Sequence, residues 1–311
     1  MTSGSTSRES RFLIMDYSAN YRTISTRLPM RIAAIVFALI LTVICFSDGM
    51  TADAAAAVKA PAAPVLLGEY KYDTGYSHPY NAQTNQIILH WKPVSGATAY
   101  HVYIRGGKYA KYKRIGATTK TDFRVKDLDR ATSYRFVVRA QNSAGLSGLS
   151  NSQLIKTARF NFDQADWEAL CRITYHEVGG INTSFWDRPI VYVADCCVNR
   201  FVVAKYTYNP TWTPYYARYS KLSDIIYYSG GFMSSAGLAY DGATYSRVPE
   251  RVKTAAYGAC YAKTELNGIA NDFNIFFWSN RSYYTVSSKI AYSFSIPWGY
   301  FYVWREYWGN T

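Results

Sequence analysis

The sequence has 311 residues, enough for two domains of ordinary size, and 49% of its residues are hydrophobic against 18% charged. This balance excludes an intrinsically disordered chain. The formal net charge of +13 is uneven, because residues 62–158 hold 14 Lys and Arg against 5 Asp and Glu, whereas residues 159–311 hold 14 against 12.

Residues 1–56 read as an N-terminal extension that ends in a secretory signal peptide. Arg27 and Arg31 precede the uncharged apolar run Ile32–Phe46, and small residues at 51–57 provide a cleavage site. The run is shorter than the roughly 20 residues that span a bilayer. We therefore expect a secreted protein, with an uncleaved N-terminal membrane anchor facing outward as the alternative.

Four cysteines remain after the signal peptide, an even number in an oxidising compartment. They allow three disulfide connectivities. All four lie on apolar helical faces, however, which favours buried free thiols. The residues are Cys171, Cys196, Cys197 and Cys260.

Residues 57–61 form a linker, and residues 62–158 are predicted to form an all-β immunoglobulin-like sandwich. Short segments of alternating polarity recur at sandwich spacing. The segment resembles a fibronectin type III domain in Trp91, Tyr100 and "LDRATSY", which ends at Tyr134. That resemblance implies a buried Tyr134 whose hydroxyl bonds back to the backbone, and a spacer or binding module without catalysis. The expected core residues are Trp91, Tyr100, Leu128, Tyr134 and Val137.

Residues 159–311 change to helical periodicity and are predicted to form a helix-rich α+β domain. The first helix begins at Asp163 and ends at Gly179–Gly180, and its spacing makes Glu177 face inward or border the core. Further helices are expected at about 189–205 and 249–266. The segments "NDFNIFFWSN" and "SFSIPWGYFYVW" are expected to form strands.

Elimination leaves carboxylic acid chemistry as the reaction class. His176–Glu177 begins like the zinc-binding sequence HExxH, but Gly180 stands where the second histidine ligand would be. His176 is the only histidine after residue 101, so a zinc hydrolase, a Cys/His peptidase and a Ser/His/Asp triad all lack a well-placed histidine. Neither a metal nor a cofactor is expected.

Glu177 suits the role of a general acid. A general acid must hold its proton near neutral pH. Apolar neighbours and the negative end of the helix dipole are both expected to disfavour the charged carboxylate. The alternative is a partly solvated structural glutamate near a helix end.

Five short sequences follow one another across about residues 166–280: "LCRITYHEVGG", "IVYVADCCVNRF", "DIIYYSGGFMSS", "ERVKTAAYGACYAKTELNG" and "NIFFWSN". In this order and spacing they resemble the cell wall hydrolase family named after the spore-cortex-lytic enzyme SleB. The resemblance implies a peptidoglycan glycan substrate and gives Glu177 the position of the catalytic glutamate. Two positions depart from the family pattern, since Ile181 replaces a second acid and Gly231 replaces a glutamine.

The implied reaction needs one acid. Glu177 would protonate the glycosidic oxygen between N-acetylmuramic acid and N-acetylglucosamine, and in a lytic transglycosylase the muramoyl C6 hydroxyl then attacks with Glu177 as the base. A muramidase or glucosaminidase would usually need a second carboxylate roughly 5–10 Å away. The candidates for it are Asp187, Asp195, Asp241 and Asp272. A non-catalytic cell-wall-binding protein with a decayed site is the remaining alternative.

The positive charge of residues 62–158 predicts a polyanionic partner, nucleic acid or an anionic wall polymer, with solubility alone as the alternative. The resemblance implies a cell-wall-associated protein whose partner is peptidoglycan, with anionic wall polymers bound through the basic fibronectin type III-like domain and no nucleic acid. Aromatic faces stack on sugar rings and an amide can bond an acetamido group, although core packing competes for each such side chain. The substrate-binding candidates are Tyr175, Trp186, Asn199, Phe232 and Phe277.

Overall fold

A computed structural model describes residues 58–68, 84–179, 184–228, 232–279, 289–296 and 299–305. Val58–Thr311 is one compact unit, and Met1–Ala57, with the predicted signal peptide, is a separate unit outside the described residues. No helix of the described ranges is long and apolar enough to cross a membrane.

The first part of the compact unit is a β-sandwich of two antiparallel sheets. In one sheet β1 pairs with β4, and in the larger sheet the strand order is β3-β2-β5-β6, with β7 also paired to β5. The strands are β1 (Ile87–His90), β2 (Ala99–Gly106), β3 (Tyr109–Thr118), β4 (Asp122–Val125), β5 (Ser133–Asn142), β6 (Gly145–Leu146) and β7 (Gln153–Lys156).

The sandwich core confirms four of the five predicted residues, because Trp91, Tyr100, Leu128 and Tyr134 pack in one buried cluster. The Tyr134 hydroxyl accepts a hydrogen bond from the Asp129 amide at 2.8 Å, as the sequence predicts. Val137 is buried but belongs to neither core cluster. Its neighbours on β5 point into the core, so the strand alternation places Val137 on the outer face of the sheet.

The second part is helix-rich, with a small antiparallel sheet of order β8-β10-β9. Its elements are α1 (Gln164–Thr174), α2 (Asp187–Tyr206), α3 (Thr213–Tyr216), α4 (Leu222–Tyr227), α5 (Ser235–Tyr240), α6 (Glu250–Tyr261), β8 (Phe277–Ser279), β9 (Ile290–Ile296) and β10 (Gly299–Trp304). Helices α1 and α2 lie close to their predicted positions. Helix α6 ends at Tyr261, before the predicted end at 266, because Ala262 adopts a left-handed C-cap conformation. Most of the "NDFNIFFWSN" segment is not strand, since only its last part forms β8.

Helix α1 begins where the sequence predicts. Asp163 is its N-cap, and Asp163 and Asp166 exchange backbone and side-chain hydrogen bonds in a capping box. The Asp166 carboxylate also accepts from the Ser223 amide at 2.8 Å and so joins the start of α1 to α4. Burial raises the pKa of Asp166, and these hydrogen bonds oppose that shift.

Helix α2 is buried on nearly every side, as expected for a central helix with apolar residues all round. Its Asn199 is fully buried, donates to the backbone oxygens of Asp272 and Ile275 at 2.9 and 2.8 Å, and accepts from Arg159 at 2.6 Å. These bonds fix the segment that leads into β8 against the middle of α2. The position of β8 therefore depends on a polar group inside the core.

Along the chain, the hydrophobic core of the sandwich ends at Ile155 and that of the helical part begins at Ala158. Several hydrogen bonds cross this division: Arg130 Nη1 donates to the Arg159 oxygen at 2.9 Å, and Lys156 Nζ donates to the Ala262 oxygen at 2.8 Å. The Arg130 guanidinium also lies 4.4 Å from the Tyr206 ring centroid. Charged side chains of the sandwich thus donate hydrogen bonds to backbone carbonyls of the helical part.

Candidate functional site

Glu177 lies on a π-helical turn, Tyr175–Gly179, that continues α1. Its side chain is exposed, which excludes the inward orientation, one of the two positions that the sequence spacing predicted. That prediction assumed α-helical spacing from Leu170 and Ile173. A π turn bonds residue i to i+5 instead of i+4, so it rotates the following side chains relative to the α-helical face.

Gly179 allows this turn to pack against α6. A Cβ atom built at Gly179 would lie 2.6 Å from Val252 Cγ2 and 3.0 Å from Tyr175 Cδ2. Both distances are shorter than ordinary carbon contacts. The sequence predicts Gly179 as a helix stop. In the structure, its missing side chain lets the π turn approach α6 closely.

The Glu177 carboxylate is held by an aromatic side chain from β8. Trp278 Nε1 donates to Glu177 Oε2 at 3.0 Å, and the Trp278 ring stacks on Phe232 with centroids 5.0 Å apart and an interplanar angle of 8°. Both rings are half-buried, so part of this surface faces solvent. No hydrogen bond to Glu177 Oε1 is found among the described residues.

The Arg200 guanidinium packs against the rings of this aromatic surface. Its guanidinium carbon lies 4.4 Å from the ring centroids of Phe232 and Trp212, and 5.8 Å from that of Trp278. The side chain is 5% exposed and its Nε donates to the Phe276 oxygen at 2.5 Å. A desolvated cation against several rings is a strong contact, so Arg200 fixes the rings that hold Glu177. Sequence reasoning missed this role, although Arg200 is part of the quoted "VNRF" segment.

The cysteines of the helix-rich region are unsuited to nucleophilic chemistry. Burial raises the pKa of the Cys197 thiol; Arg200 opposes the shift and the Glu177 carboxylate adds to it. Burial likewise raises the pKa values of Cys196 and Cys260. These three carry free thiols in the core, and Cys171 is buried there too, so reactive thiolate character is disfavoured.

The structure brings only part of the predicted substrate-binding set to Glu177. Phe232 stacks on Trp278, the residue that bonds to Glu177. Phe277 is half-buried, and its ring centroid lies 5.8 Å from the Arg200 guanidinium carbon. Tyr175 is half-buried on the same π turn as Glu177. Trp186 is 3% exposed and lies in the core before α2.

Asn199 is also in the core, and all of its amide groups are used by Arg159 and by two backbone carbonyls. Both amide hydrogens of Asn199 are bonded inside the core, and neither Asn199 nor Trp186 offers a surface to a glycan because both are buried. Their burial corresponds to the core role that the sequence left open for both.

All four candidate second carboxylates have polar or charged partners. Asp187 is 3% exposed and bonds with Arg251 and Asn267. Asp272 accepts from the Tyr292 hydroxyl at 2.8 Å and pairs with Arg305 at 3.3 Å. Asp241 is exposed, and its Oδ2 lies 3.7 Å from Nδ1 of His176, the residue before Glu177.

Asp195 is the fourth candidate and is fully buried in α2. Burial raises the pKa of its carboxyl to about 7, while the charge of Arg159 and hydrogen bonds from the Asp272 amide and Asn271 act in the opposite direction. These bonds, at 2.9 and 2.8 Å, turn it toward the interior. Asp195 is therefore placed to hold the segment before β8, not to meet a substrate.

The positions of the two family departures, Ile181 and Gly231, lie outside the described residues. Within the part of the chain that is described, no group of three or more His, Cys, Asp or Glu side chains could hold a metal ion.

Comparison with known proteins identifies one domain of the chain. Residues 78–155 match the fibronectin type III domain model, which ends before the helix-rich region. Among solved structures, the structure of FN3tt mut is 28% identical, with 31% of this chain and 96% of that chain covered and a TM-score of 0.26. A crystal structure of FN3tt is 24% identical, covering 32% and 95%, with a TM-score of 0.26.

An Fn3-like protein from Clostridium thermocellum is 19% identical over 30% of this chain and 86% of that chain, with a TM-score of 0.23. No curated protein matches the chain. The chain therefore contains a fibronectin type III domain followed by a helix-rich region.

Proposed function

We propose that this protein cleaves the glycan strands of peptidoglycan, as a secreted enzyme associated with the cell wall. One observation carries the proposal: an exposed carboxylate, Glu177, is oriented by Trp278 at the edge of a half-buried aromatic surface that includes Phe232. Aromatic faces beside a positioned acid suit a sugar polymer, because the rings stack on the pyranose faces while the acid meets the bridging oxygen.

The helix-rich region, in this proposal, is a SleB-like cell wall hydrolase domain. Glu177 Oε1 donates its proton to the glycosidic oxygen between N-acetylmuramic acid and N-acetylglucosamine. Because Glu177 is exposed, the glycan lying on Trp278 and Phe232 supplies the desolvation that the neighbouring apolar residues were expected to supply. The carboxylate then takes the proton from the muramoyl C6 hydroxyl as that oxygen attacks the anomeric carbon.

A lytic transglycosylase is the preferred reaction because it needs no second carboxylate. The structural partners of Asp187, Asp195 and Asp272 support this preference. Asp241 is the remaining acid for a muramidase or glucosaminidase, since it is exposed and next to His176. A non-catalytic wall-binding protein is the alternative outside enzyme function.

The test compares the wild type with Glu177→Gln in the clearing of purified sacculi. We expect the variant to clear sacculi slower by about 10²- to 10⁴-fold, the usual contribution of a general acid. Asp224→Asn is a matched control, since Asp224 is an exposed acid on α4. Equal clearing by the wild type and Glu177→Gln would remove Glu177 from the mechanism, and no clearing by the wild type would favour the wall-binding alternative.

Mass spectrometry of the released fragments determines the reaction type. A lytic transglycosylase yields 1,6-anhydromuramoyl ends, whereas a hydrolase yields reducing ends. Asp241→Asn adds a second readout, because only a hydrolase that uses this acid would lose activity with it. Reducing ends together with an inactive Asp241→Asn would exclude the transglycosylase.

A further inference from the structure

The larger sheet of the fibronectin type III domain has a one-sided charge. Its strands carry one Lys or Arg on β2, three on β3, two on β5 and one on β7, and they contain no Asp or Glu. The smaller sheet has one residue of each sign, Asp122 and Arg124 on β4. The basic excess of this domain is therefore concentrated on one sheet.

The strand register places most of these charges on one face. Arg105 of β2 lies directly opposite Arg135 of β5, and Tyr103 lies opposite Arg114 of β3. These residues alternate with the buried Val102 and Ile104, so they point away from the core. We call this outer surface the basic face; its members are Tyr103, Arg105, Tyr112, Arg114, Arg135 and Arg139.

The basic face has no compensating acid within the part of the chain that the structure describes. Arg105, Arg114 and Arg135 are exposed, and none of them forms an ion pair with a carboxylate of the described residues. Like charges directly opposite each other on neighbouring strands destabilise a sheet. A surface that served solubility alone would intersperse both signs. The opposed pair Arg105 and Arg135 instead indicates a surface that is complete only with an anionic partner.

The geometry of a sheet gives this face a regular spacing. Neighbouring strands lie about 5 Å apart, and side chains on the same face of one strand repeat at roughly 7 Å. Guanidinium groups on such a grid can each take a phosphate oxygen pair in bidentate fashion. Tyr112 extends across the face, with its hydroxyl 3.3 Å from Ser152 Oγ. The basic face therefore contains an aromatic side chain as well as the arginines.

The positive surface continues onto the edge of the sheet. β3 is an edge strand, and an open depression lies along residues 108–113, with Lys108 and Lys113 flanking the Tyr109 ring at 5.6 and 5.9 Å. Lys111 is exposed on the same strand. A polymer on the basic face would therefore meet further cations as it passes the sheet edge.

We propose that the basic face binds a flexible phosphodiester-linked wall polymer and holds the protein on the cell wall. The choice of a wall polymer rests on the proposed function, whereas the choice of a polyanion rests on the face itself. The face consists of strand side chains and presents no helix that would enter a groove of duplex nucleic acid. A flexible chain of phosphates can instead follow the grid of arginines.

The experiment uses the full chain and poly(glycerol phosphate) as the probe, with binding followed by fluorescence anisotropy at low and high salt. The triple variant Arg105→Gln/Arg114→Gln/Arg135→Gln is compared with Lys92→Gln/Lys120→Gln/Lys126→Gln, which removes three exposed charges from outside the larger sheet. We expect about a tenfold loss of affinity at low salt for the arginine variant and a smaller salt dependence, since fewer counterions are released. The lysine control should lose less than about twofold through general screening alone.

Equal losses in the two triple variants would overturn the basic face as the binding site. A third variant, Arg105→Lys/Arg114→Lys/Arg135→Lys, keeps the charge, and full affinity in it would overturn the bidentate role of arginine. Single-stranded DNA of equal phosphate number that competes more strongly than poly(glycerol phosphate) would overturn the wall polymer as partner. Thermal melting confirms folding, and removal of the opposed arginines should not lower the melting temperature.

The two proposals fail separately in this design. Cleavage of soluble glycan strands by the arginine variant should equal that of the wild type, because the three arginines belong to the sandwich sheet and Glu177 to the helix-rich region. A protein that clears sacculi but does not bind the polymer overturns only this inference. A protein that binds the polymer through the basic face but cleaves no glycan overturns only the proposed function.

Discussion

At the scale of single residues, the site depends on how one indole group orients one carboxylate. Trp278 has two separable functions there, because its Nε1–H bonds to Glu177 while its ring stacks on Phe232. A hydrogen bond between a neutral donor and a carboxylate contributes roughly 1.5–3 kcal/mol. Sequence reasoning chose Phe277 over its neighbour, although adjacent strand residues point to opposite faces and only one of the two can meet Glu177.

Trp278→Phe separates the two functions. The ring stack remains and the donor is lost, so we expect kcat on soluble glycan strands to fall about tenfold while KM changes little. Trp91→Phe, in the sandwich core, is the matched control and should leave both constants unchanged. An increase in KM with unchanged kcat would mean that Trp278 binds the glycan and does not orient the acid.

Arg200 shows why the rest of the site could not be read from the sequence. An arginine in an apolar helix predicts a surface position or a buried ion pair. In this fold its partners are rings from three separate elements and one backbone oxygen, Phe276 O. These segments are far apart in the chain, so no local pattern brings them together.

At the scale of elements, the parts with local causes were predictable. Helix α1 begins at Asp163 because its capping box uses only neighbouring residues. The strand predicted over "NDFNIFFWSN" shortens to Phe277–Ser279 for a non-local reason, since Asn199 takes the carbonyls of Asp272 and Ile275 that a longer strand would use. The π turn is equally non-local, because it brings Gly179 against Val252.

Gly179→Ala tests this account of the π turn. The new Cβ would lie 2.6 Å from Val252 Cγ2, so we expect the free energy of unfolding to fall by roughly 1–3 kcal/mol. Gly148→Ala, whose nearest neighbour would be the Ala63 Cβ at 3.9 Å, should be nearly neutral. Urea denaturation measures both.

The second substitution Val252→Ala distinguishes a clash from a general effect of alanine. If the contact with Val252 causes the loss, the double variant should be more stable than the sum of the two single changes predicts, by about 1 kcal/mol. Simple additivity would contradict the packing explanation and would leave the conformation of the turn itself as the cause.

At the scale of the whole molecule, the unit from Val58 to Thr311 joins an all-β part to a helical part through a junction that is firmly bonded. The Arg159 amide donates to the Cys260 oxygen at 2.8 Å, and its guanidinium is 5% exposed in the helical core. Burial lowers the pKa of Arg159 to about 10, which still leaves it charged at neutral pH. The sequence predicted two domains at this point, and nothing in its composition indicated a buried cation between them.

Such a junction should make the two parts unfold together. Arg130 and Lys156 of the sandwich donate to the Arg159 and Ala262 carbonyls, and hydrogen bonds from charged donors contribute about 1.5–3 kcal/mol each. We expect one calorimetric transition for the wild type and two for Arg130→Ala/Lys156→Ala, because loss of the coupling lets each core melt at its own temperature. Arg124→Ala/Lys126→Ala, at exposed positions of the sandwich, is the control and should keep one transition. Two transitions in the wild type would show that the junction bonds do not couple the cores. The basic face and the Glu177 site would then be carried by two independently folding parts.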